Sequence, residues 1–164
     1  MGARVSTPDY SQYSPLALAY IGDAVYDLII RDKVVRKGSR QVQKLHRETI
    51  HYVNAGAQSE LILRLLDSLT PEETAVYKRG RNAVSHTVPK NQDVGDYRRA
   101  TGFEALLGWL FLEGQYDRIL ELTGEADSTR LAQALGALNG ESGSGASGSG
   151  AGKAPEGETS GEEA

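Results

Sequence analysis

The sequence predicts an all-α domain, and three observations carry that reading. The strong hydrophobic periodicities are helical. Helix starts and stops are marked by capping residues, Gly and Pro. No stretch alternates apolar and polar residues as a half-buried strand does. With 164 residues, the chain is long enough for one domain with its own core. We expect a flexible leader over 1–13, the helical domain over 14–138, and a disordered Gly/Ser/Glu-rich tail over 139–164.

The elements follow in order. Ser14-Pro15 reads as an N-cap with Pro at the first helical position; it opens a helix to about Val35, which Lys37-Gly38 ends. Ser39 is the candidate cap of a second helix, through about Val53. Asn54 can cap a third, in which Leu61, Leu65 and Leu66 share a face. "TPEE", Thr70 to Glu73, combines a cap, a first-turn Pro and a capping-box Glu for a helix to about Asn82. "AVSHTVPKNQ" reads as a loop, because Pro89 disfavours helix just before it. A long helix runs from about Asp93 to Glu113 and stops at Gly114. Shorter helices are expected over Tyr116–Leu122 and Asp127–Leu138.

Composition removes several classes. There is no cysteine, hence no disulfide and no thiolate metal site. No apolar run reaches the roughly 18 residues of a membrane span, and the N-terminus lacks the apolar stretch of a signal peptide. "MGARVS" fits the loose myristoylation pattern through Gly2 and Ser6, but a floppy leader is the simpler reading. His46, His51 and His86 share no zinc-ligand spacing. A cytoplasmic protein without a membrane partner is expected.

The net charge of -4 misleads, because the tail alone, with five Glu and one Lys, carries all of it. The neutral body clusters its bases. Arg31 to Glu48 holds Arg31, Lys33, Arg36, Lys37, Arg40, Lys44 and Arg47 against Asp32 and Glu48. Val76 to Arg99 holds Lys78, Arg79, Arg81, Lys90, Arg98 and Arg99 against Asp93 and Asp96. Two basic segments suggest a polyanionic partner; solvated helix faces would give the same counts.

Two carboxylates sit in apolar helices. "LALAYIGDAVYDLII" surrounds Asp23, and "GFEALLGWLFL" is apolar except for Glu104. The second helix is apolar nearly all round and should be central. Both have glycines near the acid, Gly22 in one and Gly102 and Gly108 in the other, which points to close helix approach. Three readings stay open: each acid pairs with an Arg, a hydrogen-bond network satisfies it, or the two acids supply oxygen ligands to a hard cation such as Mg²⁺. Asp27, one turn after Asp23, suits an i,i+4 pair with Arg31.

These residues resemble a known family. "YIGDAVYD" resembles the "FLGDAV" signature of ribonuclease III catalytic domains, and "GFEALLGWLFLEG" resembles their second, glutamate-bearing signature. "LALAYIGDAVYD" and "KRGRNAVSHTVPKNQDVGDYRRATGFEALLGWLFLEG" are closest to the small Mini-ribonuclease III subfamily, in which no RNA-binding module is expected after the catalytic domain. The resemblance covers about Ser14 to Leu122.

The resemblance implies an all-α homodimer of ribonuclease III type. Asp23 and Glu104 would be the catalytic metal ligands, for Mg²⁺ with Mn²⁺ as a substitute. The reaction implied is metal-assisted hydrolysis of double-stranded RNA that leaves 5′-phosphate and 3′-hydroxyl ends. Maturation of the large-subunit (23S) ribosomal RNA precursor follows as the implied role, in a bacterial cytoplasm rather than a plastid, with a ribosomal protein as a candidate helper. Typical ribonuclease III carries two further acids where this chain has Ala19 and Thr101, and Mini-ribonuclease III resembles it in both departures. Fewer protein ligands leave more of each metal's shell to water and phosphate.

For RNA contacts the candidates are Arg79, Arg81, His86, Lys90 and Arg98. Gly80, between two arginines, reads as room for a phosphate to approach. Helix geometry lets at most one of Arg98 and Arg99 face the site. The alternative is a non-catalytic duplex-RNA-binding dimer on the same fold, for which loss of Asp23 or Glu104 would be expected.

Overall fold

Local signals set most helix ends in the structure, a computed structural model that describes residues 8–83 and 88–140. The helices are α1 Pro15–Arg36, α2 Val42–Val53, α3 Ala55–Leu65, α4 Pro71–Asn82, α5 Val94–Leu112, α6 Tyr116–Thr123 and α7 Thr129–Leu138. Short 3₁₀ turns at Tyr10–Gln12 and Leu66–Ser68 complete the described elements, none of which is a strand. The all-α expectation holds.

The caps explain the ends. Asn54 Oδ1 accepts from the Ala57 amide at 2.9 Å and starts α3. Thr70 and Glu73 form a full capping box at α4. Asp93 Oδ1 accepts from the Asp96 amide at 2.8 Å and starts α5. Gly114, at φ 75°, ends it. Ser39 does not cap α2. The chain turns at Gly38, with φ 129°, and the helix begins only at Val42, behind Gln41, whose side chain makes no cap. Ser14 likewise makes no side-chain cap, so Pro15 alone marks that start.

The leader expected over 1–13 is tethered at its near end. Asp9 caps the turn at Tyr10–Gln12 by accepting from the Ser11 amide at 3.0 Å. Arg79 donates to the carbonyls of Ser11 and Tyr13 and holds this segment against α4. Residues 1–7 and 141–164 lie outside the described residues, whereas Asn139, expected to begin the disordered tail, donates to the Phe111 carbonyl at 3.0 Å and the Tyr116 hydroxyl at 2.9 Å.

α5 is the central element, packed by α1, α3, α4 and α6. Phe103, Leu106, Leu107 and Leu110 are fully buried. Two close crossings fix it. A Cβ on Gly22 of α1 would overlap the Glu104 carbonyl oxygen and stand 2.8 Å from the Gly108 amide nitrogen. A Cβ on Gly108 would overlap the Leu18 carbonyl oxygen. α1 and α5 therefore touch backbone to backbone. On the other side, a Cβ on Gly80 of α4 would stand 2.7 Å from Ala105 Cβ, and one on Gly102 would stand 2.8 Å from the Tyr77 ring. Gly80 is thus a packing residue on the buried face of α4, not an opening for phosphate.

Backbone cannot yield as a flexible side chain does. Gly22→Ala and Gly108→Ala should each destabilise by about 3 kcal/mol or more. Gly136→Ala, whose Cβ would meet only Tyr116 at 3.4 Å, should change stability by less than about 1 kcal/mol. Urea or thermal unfolding of the three variants checks this.

Candidate active site

The α1–α5 crossing brings the two sequence-predicted carboxylates together. Asp23 follows the glycine whose missing Cβ admits the Glu104 backbone. The acids are close enough that the Asp23 charge raises the Glu104 pKa. Their surroundings differ. The apolar sequence around Asp23 implies burial, yet α1 is apolar on both faces, and Asp23 lies exposed on the outer one near Tyr20 and Ala24. Glu104 is half-buried in a cleft of about 250 Å³ formed by Val53, Asn54 and Gln58, by Pro89 and Gln92, and by Tyr97, Ala100 and Thr101.

Burial, then repulsion from Asp23, pushes the Glu104 carboxyl from 4.5 to about 7; a hydrogen bond from Gln58 Nε2 opposes the shift. The Asp23 carboxyl is also raised, by partial burial and then by Asp27. The repulsion within the pair falls on Glu104, the more buried partner.

Among the described residues no ion pair includes Asp23 or Glu104, whereas other enclosed carboxylates are matched. Glu73, 3% exposed, takes Arg118 Nε at 2.9 Å and the Thr70 amide at 2.9 Å. Burial pushes the Glu73 carboxyl up, but Arg118 and Thr70 outweigh it and hold it below the usual range. Asp27 pairs with Arg31 at 2.6 Å, as the i,i+4 spacing predicts. The reading in which each candidate acid pairs with an arginine finds no support at Asp23 or Glu104.

Ion pairs also sort the two basic segments. In the first, Arg31, Lys33, Arg36, Lys37 and Arg40 pair with Asp27, Glu125, Asp32, Glu48 and Glu48. In the second, only Arg99 meets a carboxylate among the described residues, Asp96 at 2.8 Å. Arg99 also donates to Ser59 at 2.6 Å and so faces α3, leaving Arg98 exposed. Exposed Lys90 and Arg98 flank residues that line the Glu104 cleft. Arg81 lies over the Tyr77 ring at 5.7 Å. Arg79 is occupied by Ser11 and Tyr13, away from the cleft lining. His86 lies outside the described residues.

Two departures from the fuller acid set are now visible. Ala19 is buried in the core. Thr101 lines the cleft but turns its hydroxyl back to the Tyr97 carbonyl at 3.0 Å. Gln58 is the residue that sequence reasoning missed. It stands four residues before Ile62 on the buried face of α3, a polar side chain in a core register.

The fold and these neighbouring acids define a helical domain with two carboxylates set close together where its two most apolar helices cross. Comparison with known proteins gives the particular kind. The Ribonuclease III domain family model matches residues 16–115. The Mini-ribonuclease 3 of Enterococcus faecalis is 53% identical over 116 residues, 70% of this chain and 88% of the relative. That of a Thermoanaerobacter species is 53% identical over 113 residues, 67% of this chain and 80% of the relative. The X-ray crystal structure of a Fusobacterium nucleatum protein superposes with a TM-score of 0.65 at 30% identity, covering 69% of this chain and 92% of that one. The chain belongs to the ribonuclease III family and, within it, to the Mini-ribonuclease 3 group.

The Glu104 shift has a consequence for stability. The unfolded chain releases this proton near 4.5 and the folded chain near 7. Folding therefore takes up a proton between those values, and the associated stability is full below the lower one and lost as pH rises through 7. In metal-free protein, Glu104→Gln should raise the melting temperature by about 3–6 °C at pH 8 and hardly change it at pH 4. Scanning calorimetry in chelator at both pH values measures it.

Proposed function

We propose that this protein is a Mg²⁺-dependent endoribonuclease that cuts double-stranded RNA, leaving 5′-phosphate and 3′-hydroxyl ends. The observation that carries the reading is the Asp23–Glu104 pair, two adjacent acids that no cation pairs among the described residues, in a member of the ribonuclease III family. The donor set fits a hard divalent ion. Its atoms are oxygens, its two charges repel in the absence of a cation, and the unpartnered amide oxygen of Gln58 lies alongside. Among the described residues no three His, Cys, Asp or Glu side chains group together as metal ligands. Asp23 and Glu104 would hold the ion, Mg²⁺ or Mn²⁺ in its place, with water and phosphate completing the shell. When bound, such an ion polarises the scissile phosphate and acidifies water.

The chain's own residues orient the substrate. Lys90 and Arg98 at the cleft rim, with Arg81 and His86, would hold phosphates along the duplex. Arg79 would act on RNA only through the segment it ties down. Duplex RNA is recognised mostly by shape, 2′-hydroxyls and phosphates, which suits an exposed basic rim.

A homodimer is supported by the outer face of α1. Leu16, Tyr20 and Leu28 are 40%, 84% and 39% exposed at four- and eight-residue intervals, with Ala24 between them. A two-fold pair would set two sites along one duplex, so that both strands are cut by symmetry rather than by a sequence code. The substrate proposed is the large-subunit ribosomal RNA precursor, in the bacterial cytoplasm, with a ribosomal protein as a helper. No helix among the described residues is long and apolar enough to cross a membrane. A non-catalytic RNA-binding dimer is not favoured, because both acids are present and neither forms an ion pair among the described residues.

Asp23→Asn keeps size and loses the ligand charge. It should cut duplex RNA at least about 100-fold more slowly while binding it normally without metal. Single-turnover cleavage and gel-shift assays separate the two, and a rate within tenfold of the parent would remove Asp23 from the site. Lys90→Ala with Arg98→Ala should weaken binding similarly across sequences. It should also make the salt dependence shallower by about one unit per lost phosphate contact. An unchanged slope would move the RNA surface to Lys44 and Arg47 on α2.

A further inference from the structure

We propose that Gln58 is a positioning residue for Glu104, and that its amide, acting through that carboxylate, sets how tightly the acid pair takes up a divalent cation. The proposal rests on the reading of Asp23 and Glu104 as the cation-holding pair. Gln58 is 2% exposed and lines the same cleft as Glu104. Its Nε2 donates to the Val53 carbonyl at 2.8 Å and to Glu104 Oε1 at 3.2 Å. The Val53 carbonyl can only accept, so the amide faces it, and Glu104 beside it, with its nitrogen. The two hydrogens of that nitrogen are then used, and Oε1 is left buried without a donor.

This arrangement selects an amide. An Arg or Lys in its place would hold the carboxylate but neutralise it, and would compete with a metal ion. A Leu would fill the space without an orphaned oxygen, but would leave Glu104 free to rotate. The amide fixes one carboxylate oxygen against the end of α2, keeps the negative charge, and leaves the other oxygen for a cation. Water brought in with the cation can in turn donate to Oε1.

The test uses the full chain and Mn²⁺ as the probe, followed by electron paramagnetic resonance without RNA. Gln58→Met keeps length and volume but removes the donor. It should weaken Mn²⁺ binding about 10- to 100-fold. The Mg²⁺ concentration giving half-maximal cleavage should rise in step, while the rate at saturating Mg²⁺ and the KM for RNA stay within about threefold. A merely structural glutamine would lower the melting temperature and leave metal affinity alone. Gln58→Asn, which keeps the amide but shortens its reach, is read in the same way if the Met variant does not fold. Metal affinity and half-saturating Mg²⁺ within twofold of the parent, in either folded variant, overturn the role of Gln58. A parent that takes up no Mn²⁺ and cuts no duplex overturns the carboxylate pair itself, and this proposal with it.

Discussion

The backbone contact between α1 and α5 is the constraint on which the rest of the domain depends. Gly22 and Gly108 each face a carbonyl oxygen of the other helix, and neither place has room for a Cβ. Interior glycine costs a helix about 1 kcal/mol against alanine, and the offset is visible in α5, whose Phe103, Leu106, Leu107 and Leu110 are wholly buried. The same contact sets the two candidate acids side by side. Glu104 supplies the carbonyl that meets Gly22, and Asp23 is the next residue after that glycine. Packing and site are therefore one feature: moving α1 outward by a methyl group would also part the acids.

Charge in this protein is spent in two ways, and only geometry separates them. By count, the segment from Arg31 to Glu48 is the more basic one. In three dimensions five of its bases are tied to carboxylates, and they serve mainly to bind α1 to α2 and to the loop before α7. The segment from Val76 to Arg99 keeps most of its bases clear of acids among the described residues. A field that can act on a polyanion comes from uncompensated charge. The weaker cluster by count is thus the stronger one in effect, and it borders the Glu104 cleft.

Most helices were legible because their signals are local. "TPEE" fixes its own capping box within four residues, and Asn54 and Asp93 each cap within three. Ser39 was misleading because a good capping residue followed a glycine, while the turn at Gly38 runs on to Gln41 before a helix can start. Gly80 was readable and misread. It continues the stripe of Glu73, Val76 and Tyr77 on the buried face of α4, so helical periodicity outranks its arginine neighbours. The two acids stood out as charges in greasy helices. Their different degrees of exposure did not, because α1 is apolar on a face that the chain leaves uncovered. Gln58 was beyond reach: one amide in a core register looks like any edge residue until Glu104, 46 positions away, is placed beside it.

The pair is best understood as a destabilised arrangement kept on purpose by its surroundings. Elsewhere the fold matches its enclosed acids, as at Glu73, with an arginine and a backbone amide. At Glu104 the described residues supply a neutral amide and no cation, and Asp23 is set close enough to repel. The result is a carboxyl that holds its proton to about pH 7; in the proposed site a bound cation would displace that proton to water. Stability given up at one place in the fold becomes affinity there. Tyr20, one turn before Asp23 and 84% exposed, adds a further condition. In the proposed dimer, whatever covers that ring also lowers the polarity around Asp23, and a drier site strengthens its hold on a divalent ion. Assembly and metal uptake would then be coupled through a single turn of α1.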